Sequence, residues 1–435
     1  MERFALSRMK EWKENENRKP LIIRGARQVG KTWIMKTFGQ QYFEKTAYVN
    51  FDNNARMKQV FEGDLDIERL VLAISAETGV SIEAENTLII FDEIQEVPKA
   101  LTSLKYFYEN APQYAIVAAG SLLGVALHQG TSFPVGKVDF LDLYPLNFRE
   151  FLCAMGEKQF VSMLDSCDTQ MVTVFKTKYI ERLREYYFVG GMPEVVKDFS
   201  EKKDYNRVRA IQKNLINYYQ QDFSKHAEIK LVPRLNLVWN SIPMQLAKEN
   251  KKYIYGQVRE GSRAKDFELA IQWLLDCGLI HKVQRIQKPD LPLKAYIDFD
   301  AFKLFLVDIG LLIAMTDLDA KVIIEGNKIF TEFNGSLTEQ YILQQLTSDV
   351  GVIPYYYSTQ NSKGEIDFLV QGKTSVIPIE VKAEENLKAK SLKAFCEKYQ
   401  PSYAVRTSMS DYREQDWMTN IPLYAIKWIE NYVNQ

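Results

Sequence analysis

Histidine and cysteine are scarce in this 435-residue chain, with three of the first and four of the second. Cys153, Cys167, Cys277 and Cys396 lie far apart and form no C-x-x-C pair. That spacing argues against a zinc site or a disulfide framework and suits a reducing compartment. So few histidines leave no nucleophile–base triad to build on. A charge of one sign is missing too: 55 Lys+Arg against 56 Asp+Glu give a net −1. A surface for nucleic acid would therefore have to be local. The most apolar long run, LFLVDIGLLIAM, is too short to span a bilayer and contains Asp308. The N-terminus MERFALSRMKEWKENENRK is charged and amphipathic, without a secretory apolar core. There is no internal repeat. These absences predict a cytoplasmic protein with no membrane partner.

What is present is apolar residue enough (46%) for real cores, and length for two to four domains. Residues 2–13 read as a short helix with Ala5, Met9 and Trp12 on one side. Beyond it, PLIIRG, TAYVNFD, TLIIFDE and YAIVAAGS read as strands alternating with helices. That alternation predicts a parallel sheet covered on both faces. Four regions are expected: 1–150 as this α/β core, 151–250 as a helical connector, 251–324 as a winged-helix-like region, and 325–435 as a smaller α/β domain.

GARQVGKT at 25–32 fits G-x-x-x-x-G-K-[ST] between a buried strand and a helix. Backbone N–H groups of Gly25, Ala26, Arg27, Gln28, Val29 and Gly30 can wrap phosphate oxygens, aided by the helix N-terminus. Lys31 then reaches the β- and γ-phosphates and Thr32 ligates Mg²⁺, with Trp33 continuing the helix. The expected ligands are ATP or ADP with Mg²⁺. In LIIFDE at 88–93 two acids end a strand. Asp92 would hold Mg²⁺ through water, and Glu93 would act as general base. Ser121, ending the next strand, and Gln95 are further polar candidates. Ser121 is similar in place to the sensor-1 position of AAA-type ATPases.

In the middle, FELAIQWLLDCGLIHKVQRI places Phe267, Ala270, Ile271, Leu274, Leu275 and Leu279 on one helical face. It runs into strands in the helix-then-wing order of a winged helix. Residues 201–300 hold 18 Lys+Arg against 12 Asp+Glu. Such a module could dock on DNA through phosphate contacts, or serve as an internal lid or protein-contact element. Near the C-terminus, Asp367 stands thirteen residues before Glu380, and Lys382 two beyond it. Positions i and i+2 of a strand share a face. With Glu339 on an upstream helix, the order Glu…Asp…Glu-x-Lys resembles the PD-(D/E)xK nuclease fold. That likeness implies Mg²⁺ at Glu339, Asp367 and Glu380, with Lys382 acting on the attacking water.

GARQVGKT, LIIFDEIQE, AAGSLLG, LYPLNFREFL, FVGGMPEVV and FKLFLVDIGLL together resemble a widespread prokaryotic family. It pairs an AAA-like ATPase with a C-terminal domain of unknown function and is similar to the archaeal-ATPase and STAND-like branch. The resemblance implies Glu93 as the catalytic acid and a lid that brings Gly191 and Pro193 near adenine. It singles out no arginine finger among Arg149, Arg182, Arg184 and Arg207, so oligomeric state stays open. The implied activity is ATP hydrolysis coupled to DNA binding or metal-dependent nucleic-acid processing. The alternatives are a nucleotide-dependent signalling or scaffold switch with an inert C-terminal domain, and an ATPase that remodels a protein partner.

Overall fold

The computed structural model describes residues 1–120, 133–248, 251–325, 331–359, 364–383, 385 and 389–435, with 331–334 given by backbone alone. The chain forms two compact units. One comprises Glu2–Tyr144 with Asp276–Gly278; the other comprises Met1, Pro145–Leu275 and Leu279–Gln435. No helix among the described residues is long and apolar enough to cross a membrane.

In the N-terminal unit, α1 (Ala5–Glu14) leads into β1 (Leu21–Arg24), α2 (Lys31–Tyr42), β2 (Lys45–Asn50), α3 (Ala55–Glu62), α4 (Ile67–Thr78), β3 (Thr87–Asp92), α5 (Pro98–Asn110), β4 (Ala115–Ala119) and β5 (Asp139–Asp142). The sheet order is β2-β3-β4-β1-β5, and every pairing is parallel. Strands buried on both faces must be apolar at consecutive positions, and TLIIFD of β3 is buried throughout. On one side Ile22, Val49, Phe91 and Phe107 share a core cluster. Phe51, Phe61 and Phe91 meet edge to face there, with centroids 5.4–5.7 Å apart. α4 is delimited locally: the Asp66 side chain accepts the Arg69 N–H, and Gly79 closes the helix at φ 69°. A cap of that kind contributes about 1 kcal/mol. Parallel strands put all their C-terminal ends on one edge, where sites of α/β sheets form.

The second unit begins with helices α6 (Phe148–Ala154), α7 (Lys158–Asp165), α8 (Thr169–Val174), α9 (Lys176–Val189), α10 (Pro193–Lys202), α11 (Tyr205–His226), α12 (Val232–Leu246), α13 (Tyr255–Val258) and α14 (Ala264–Asp276). Then follow β6 (Ile280–Ile286), β7 (Ile297–Leu306), α15 (Ile309–Met315), α16 (Ala320–Ile324) and α17 (Thr331–Gln345). The chain ends with β8 (Tyr355–Ser358), β9 (Glu365–Gln371), β10 (Val376–Val381), α18 (Lys390–Tyr399), β11 (Val405–Ser408), β12 (Arg413–Gln415), β13 (Met418–Pro422) and α19 (Glu430–Val433). The helix-then-hairpin order expected around 264–306 is present, but the hairpin is not a free wing. β6 pairs antiparallel with β7 and, on its other edge, parallel with β8 through Arg285↔Tyr356 and Ile286↔Tyr357. One eight-stranded sheet, β12-β13-β11-β10-β9-β8-β6-β7, thus runs across position 324.

Buried glutamines of α17 tie this unit together. Gln340 exchanges two hydrogen bonds with the Leu306 backbone (2.9 and 2.7 Å), and Gln345 Oε1 accepts the Phe148 N–H at 2.8 Å. Asp308 caps α15 by accepting the Leu311 N–H (3.1 Å) and also takes the Gly191 N–H at 2.6 Å. Gly191 has no room for a β-carbon, which would lie 2.1 Å from the Leu146 carbonyl oxygen.

Candidate nucleotide site and the C-terminal charge cluster

Between β1 and α2 the backbone takes an unusual path. Gly25, Gln28 and Gly30 all have positive φ, at 148°, 64° and 95°. A β-carbon on Gly25 would sit 2.1 Å from the Leu143 carbonyl oxygen, so only glycine fits. Ala26 and Val29 are buried, Arg27 is half-buried and Gln28 is exposed. The buried Arg3 guanidinium braces the loop by donating to the Val29 carbonyl (3.0 Å) and the Tyr144 carbonyl (2.6 Å). Nothing in the linear sequence marked Arg3 for this, because its partners lie 26 and 141 residues away.

Lys31 opens α2 at 6% exposure, and its ammonium donates to the Gly25 and Ala26 carbonyls, both at 2.8 Å. Burial lowers its pKa to about 8, with Glu93 and Asp92 pulling the other way. Thr32 Oγ1 donates to Asp92 Oδ2 at 2.7 Å. The same carboxylate oxygen accepts from Tyr48 Oη at 2.9 Å. Burial, then the Asp92 charge, push the Tyr48 phenol well above its ordinary value, so it stays a donor. Tyr48 is the second residue that sequence reading missed: it belongs beside Asp92 only once β2 and β3 are paired, with Tyr48 opposite Ile90. Glu93 follows the strand with φ 51° and ψ 43°. Its N–H donates to Asp92 Oδ1 (3.1 Å), and Gln95 Nε2 donates to Glu93 Oε2 (2.7 Å). Trp33, one residue past Thr32, is 42% exposed. Ser121 lies outside the described residues.

The donor set fits a nucleotide phosphate with a divalent cation: loop N–H groups at a helix N-terminus, a buried ammonium, a hydroxyl and two carboxylates. Gly191 and Pro193 belong to the other unit, where Asp308 holds Gly191 and Pro193 begins α10. Of the arginines, Arg149 pairs with Asp165 (2.6 Å) and Asp349 (2.8 Å), Arg182 with Glu157 (2.6 Å) and Glu185 (2.7 Å), and Arg207 with Asp198 (2.7 Å). Arg184 donates to the Ile324 carbonyl at 3.4 Å. Around α14 some basic charge is likewise committed: Lys251 to Glu339, Arg285 to Asp298, and Lys288 to Asp290.

At the C-terminal site expected to hold a metal, Glu339, Asp367 and Glu380 take different partners. β9 does pair with β10, but its register with β8 shifts: Tyr355 faces Leu369 while Tyr357 faces Ile366. Two residues, Asp367 and Phe368, therefore oppose Tyr356 alone, which is a β-bulge. Ile366 and Leu369 both join the cluster containing Leu392 and Phe395 of α18. Phe368 turns to the opposite face, toward Phe305. Asp367 turns there too, within electrostatic reach of Glu339 and Lys303. Glu380 lies on the α18 side, accepting the Leu392 N–H (3.1 Å) and pairing with Lys382 (2.7 Å). Among the described residues no group of three or more His, Cys, Asp or Glu is arranged to hold a metal ion.

Lysines supply the positive charge instead. Lys303, fully buried, contacts Glu365 (2.5 Å) and Glu339 (3.6 Å), while Lys251 pairs with Glu339. Burial pushes the Glu339 carboxyl up, but the two ammoniums outweigh it and hold it below its ordinary value. Burial, then the Glu339 charge, raise Asp367 far above the usual carboxylate range. Asp367 Oδ2 accepts the Val381 N–H at 2.8 Å, satisfying a strand-end donor.

Comparison with known proteins agrees with the N-terminal reading. Residues 17–152 match an AAA domain family. Residues 180–322 and 334–426 match two domains of unknown function, DUF8612 and DUF4143. No curated protein matches the chain significantly. Among solved structures, the Walker-type ATPase paby2304 of Pyrococcus abyssi is 15% identical, covering 72% of this chain and 95% of that one, at a TM-score of 0.44. A RuvB variant of Thermotoga maritima is 12% identical (64% and 87% covered, TM-score 0.29). Cdc6p from Pyrobaculum aerophilum is 10% identical (74% and 93% covered, TM-score 0.24). Likenesses this distant carry no argument about activity. The N-terminal unit thus has a parallel sheet with a P-loop between β1 and α2, and its residues 17–152 are similar to an AAA domain family.

Proposed function

We propose that the chain binds ATP with Mg²⁺ at the loop between β1 and α2 and hydrolyses it. The observation that carries this is the convergence of Lys31, Thr32, Asp92 and Glu93 at one edge of one parallel sheet. Lys31 is held close by loop carbonyls, which phosphate oxygens can replace as partners of its ammonium. Loop N–H groups and the α2 N-terminus bind and orient the triphosphate. Thr32 and Asp92 would hold Mg²⁺, which when bound neutralises charge developing on the phosphates. Glu93 takes a proton from the attacking water, and its fixed backbone limits where that proton can go.

Binding and turnover separate the roles. Lys31→Ala is expected to abolish ATP binding, because the ammonium contacts phosphate in the ground state. Glu93→Gln is expected to keep binding and stop hydrolysis, since the carboxylate acts only on the water. An equal loss of nucleotide affinity in both variants would overturn this assignment.

A further inference from the structure

Gln95 lies in the short turn Ile94–Glu96 that follows β3. Its Nε2 donates to Glu93 Oε2 at 2.7 Å. An ionised carboxylate can only accept, so this contact fixes which end of the amide faces Glu93. The other end, Oε1, is buried and has no hydrogen-bond partner among the described residues. Buried acceptors without donors are uncommon in folded proteins, and this one sits on the side chain that grips the general base. The Glu93 backbone is held as well. Its left-handed conformation is costly for a residue with a β-carbon. It is pinned by its own N–H donating to Asp92 Oδ1 (3.1 Å) and by the Glu96 N–H donating to its carbonyl (3.0 Å).

We infer that Gln95 positions both the base and the water for hydrolysis; this rests on the ATPase reading above. Its amide nitrogen orients the Glu93 carboxylate, and its buried Oε1 accepts one hydrogen of the attacking water. The water oxygen forms a bond to the γ-phosphorus while the bond from that phosphorus to the bridging oxygen breaks. ADP leaves with that electron pair. Glu93 takes the water's second proton, and the first stays on the oxygen that becomes part of inorganic phosphate. A water held by two acceptors has one orientation in which a lone pair faces phosphorus.

The test uses the full chain, with ATP turnover followed against ATP concentration and binding read by displacement of a fluorescent ADP analogue. Gln95→Ala is expected to lower kcat by roughly ten- to a hundredfold while KM and the nucleotide Kd stay within about twofold. Gln95→Glu keeps shape and an acceptor but replaces the amide donor to Glu93 with a like charge, so its kcat is expected to fall as well while the nucleotide Kd stays within about twofold. A kcat unchanged in both variants overturns the role of Gln95 alone. So does a loss of affinity that parallels the loss of kcat, which would mark Gln95 as part of the loop's fold. Should Gln95→Ala fail to fold, the kcat and nucleotide Kd of Gln95→Glu decide. An unsubstituted protein that binds ATP without turning it over overturns the ATPase reading and this inference with it.

Discussion

Thr32 Oγ1 and Asp92 Oδ2 lie 2.7 Å apart although sixty residues separate them in the chain. That bond joins the first turn of α2 to the end of β3, and Tyr48 adds a second donor to the same oxygen. When Thr32 turns its hydroxyl oxygen toward a cation, Tyr48 is the donor that stays. The Lys36 ammonium, 3.8 Å from the centroid of the Tyr48 ring, favours keeping that ring in place.

Tyr48→Phe should therefore weaken the response to Mg²⁺ more than the response to ATP. The lost hydrogen bond is worth about 1 kcal/mol, which corresponds to a rise of roughly fivefold in the Mg²⁺ concentration for half-maximal turnover. A Mg²⁺ titration at saturating ATP checks it. An unchanged midpoint would show that Tyr48 serves only the sheet.

The C-terminal cluster gives the opposite expectation to a metal site. In the absence of nucleotide, Asp367→Ala and Glu380→Ala should leave Mn²⁺ binding, read by paramagnetic resonance, as it is in the unsubstituted protein. Lys303→Met should destabilise strongly, by about 3–5 kcal/mol, because it leaves buried carboxylates short of their ammonium. Denaturant unfolding measures that. A cluster that gains nothing from Lys303 would unfold at the same denaturant concentration in both proteins.

The contrast between these sites explains what could be read from sequence. The phosphate loop needs only eight consecutive residues with a strand before and a helix after, so its chemistry is written locally. Asp92 and Glu93 follow because an acidic pair closes an apolar strand. The C-terminal site depends on alternation along β9, and a bulge at Asp367 breaks it in a way that hydrophobic periodicity does not announce. The partners that neutralise Glu339 come from 88 residues upstream, at Lys251, and from Lys303. One signal was present: Lys303 sits inside AFKLFLVD, and a lysine within a buried strand must find a carboxylate. Pairing of β6 with β8 had no local signal, since its register residues are about seventy positions apart.

Asp308 should make stability fall with rising pH in mildly acidic solution. Burial raises its pKa to about 6 against the N–H donors that lower it, while an unfolded aspartate titrates near 3.9. Between those values the folded state keeps a proton that the unfolded state has released. The contribution is fully present below pH ~4 and is lost as pH rises through ~6, a span of about 3 kcal/mol. Urea unfolding of the unsubstituted protein and of Asp308→Asn, compared across pH 4.5–7, should show a difference that changes with pH. A constant difference would place the Asp308 pKa at its ordinary value.

Lys31 offers the last test, and it concerns the nucleotide site directly. With its pKa at about 8, the free protein begins to lose this charge just above neutrality. Bound phosphate oxygens favour the ammonium, so nucleotide binding must raise that pKa. Below pH 7 the proton is already present, and affinity should be nearly flat with respect to this group. Above pH 8, binding has to take up a proton, so affinity should fall by as much as tenfold per pH unit. Calorimetry at pH 9 in two buffers of different ionisation enthalpy counts the protons directly. Uptake close to one at pH 9 and close to zero at pH 7 is expected from the unsubstituted protein. Lys31→Arg keeps its charge at both values, so any binding it retains should take up no proton at pH 9. Equal uptake at pH 9 by the unsubstituted protein and by that variant would mean that another group carries the proton and that Lys31 is charged throughout.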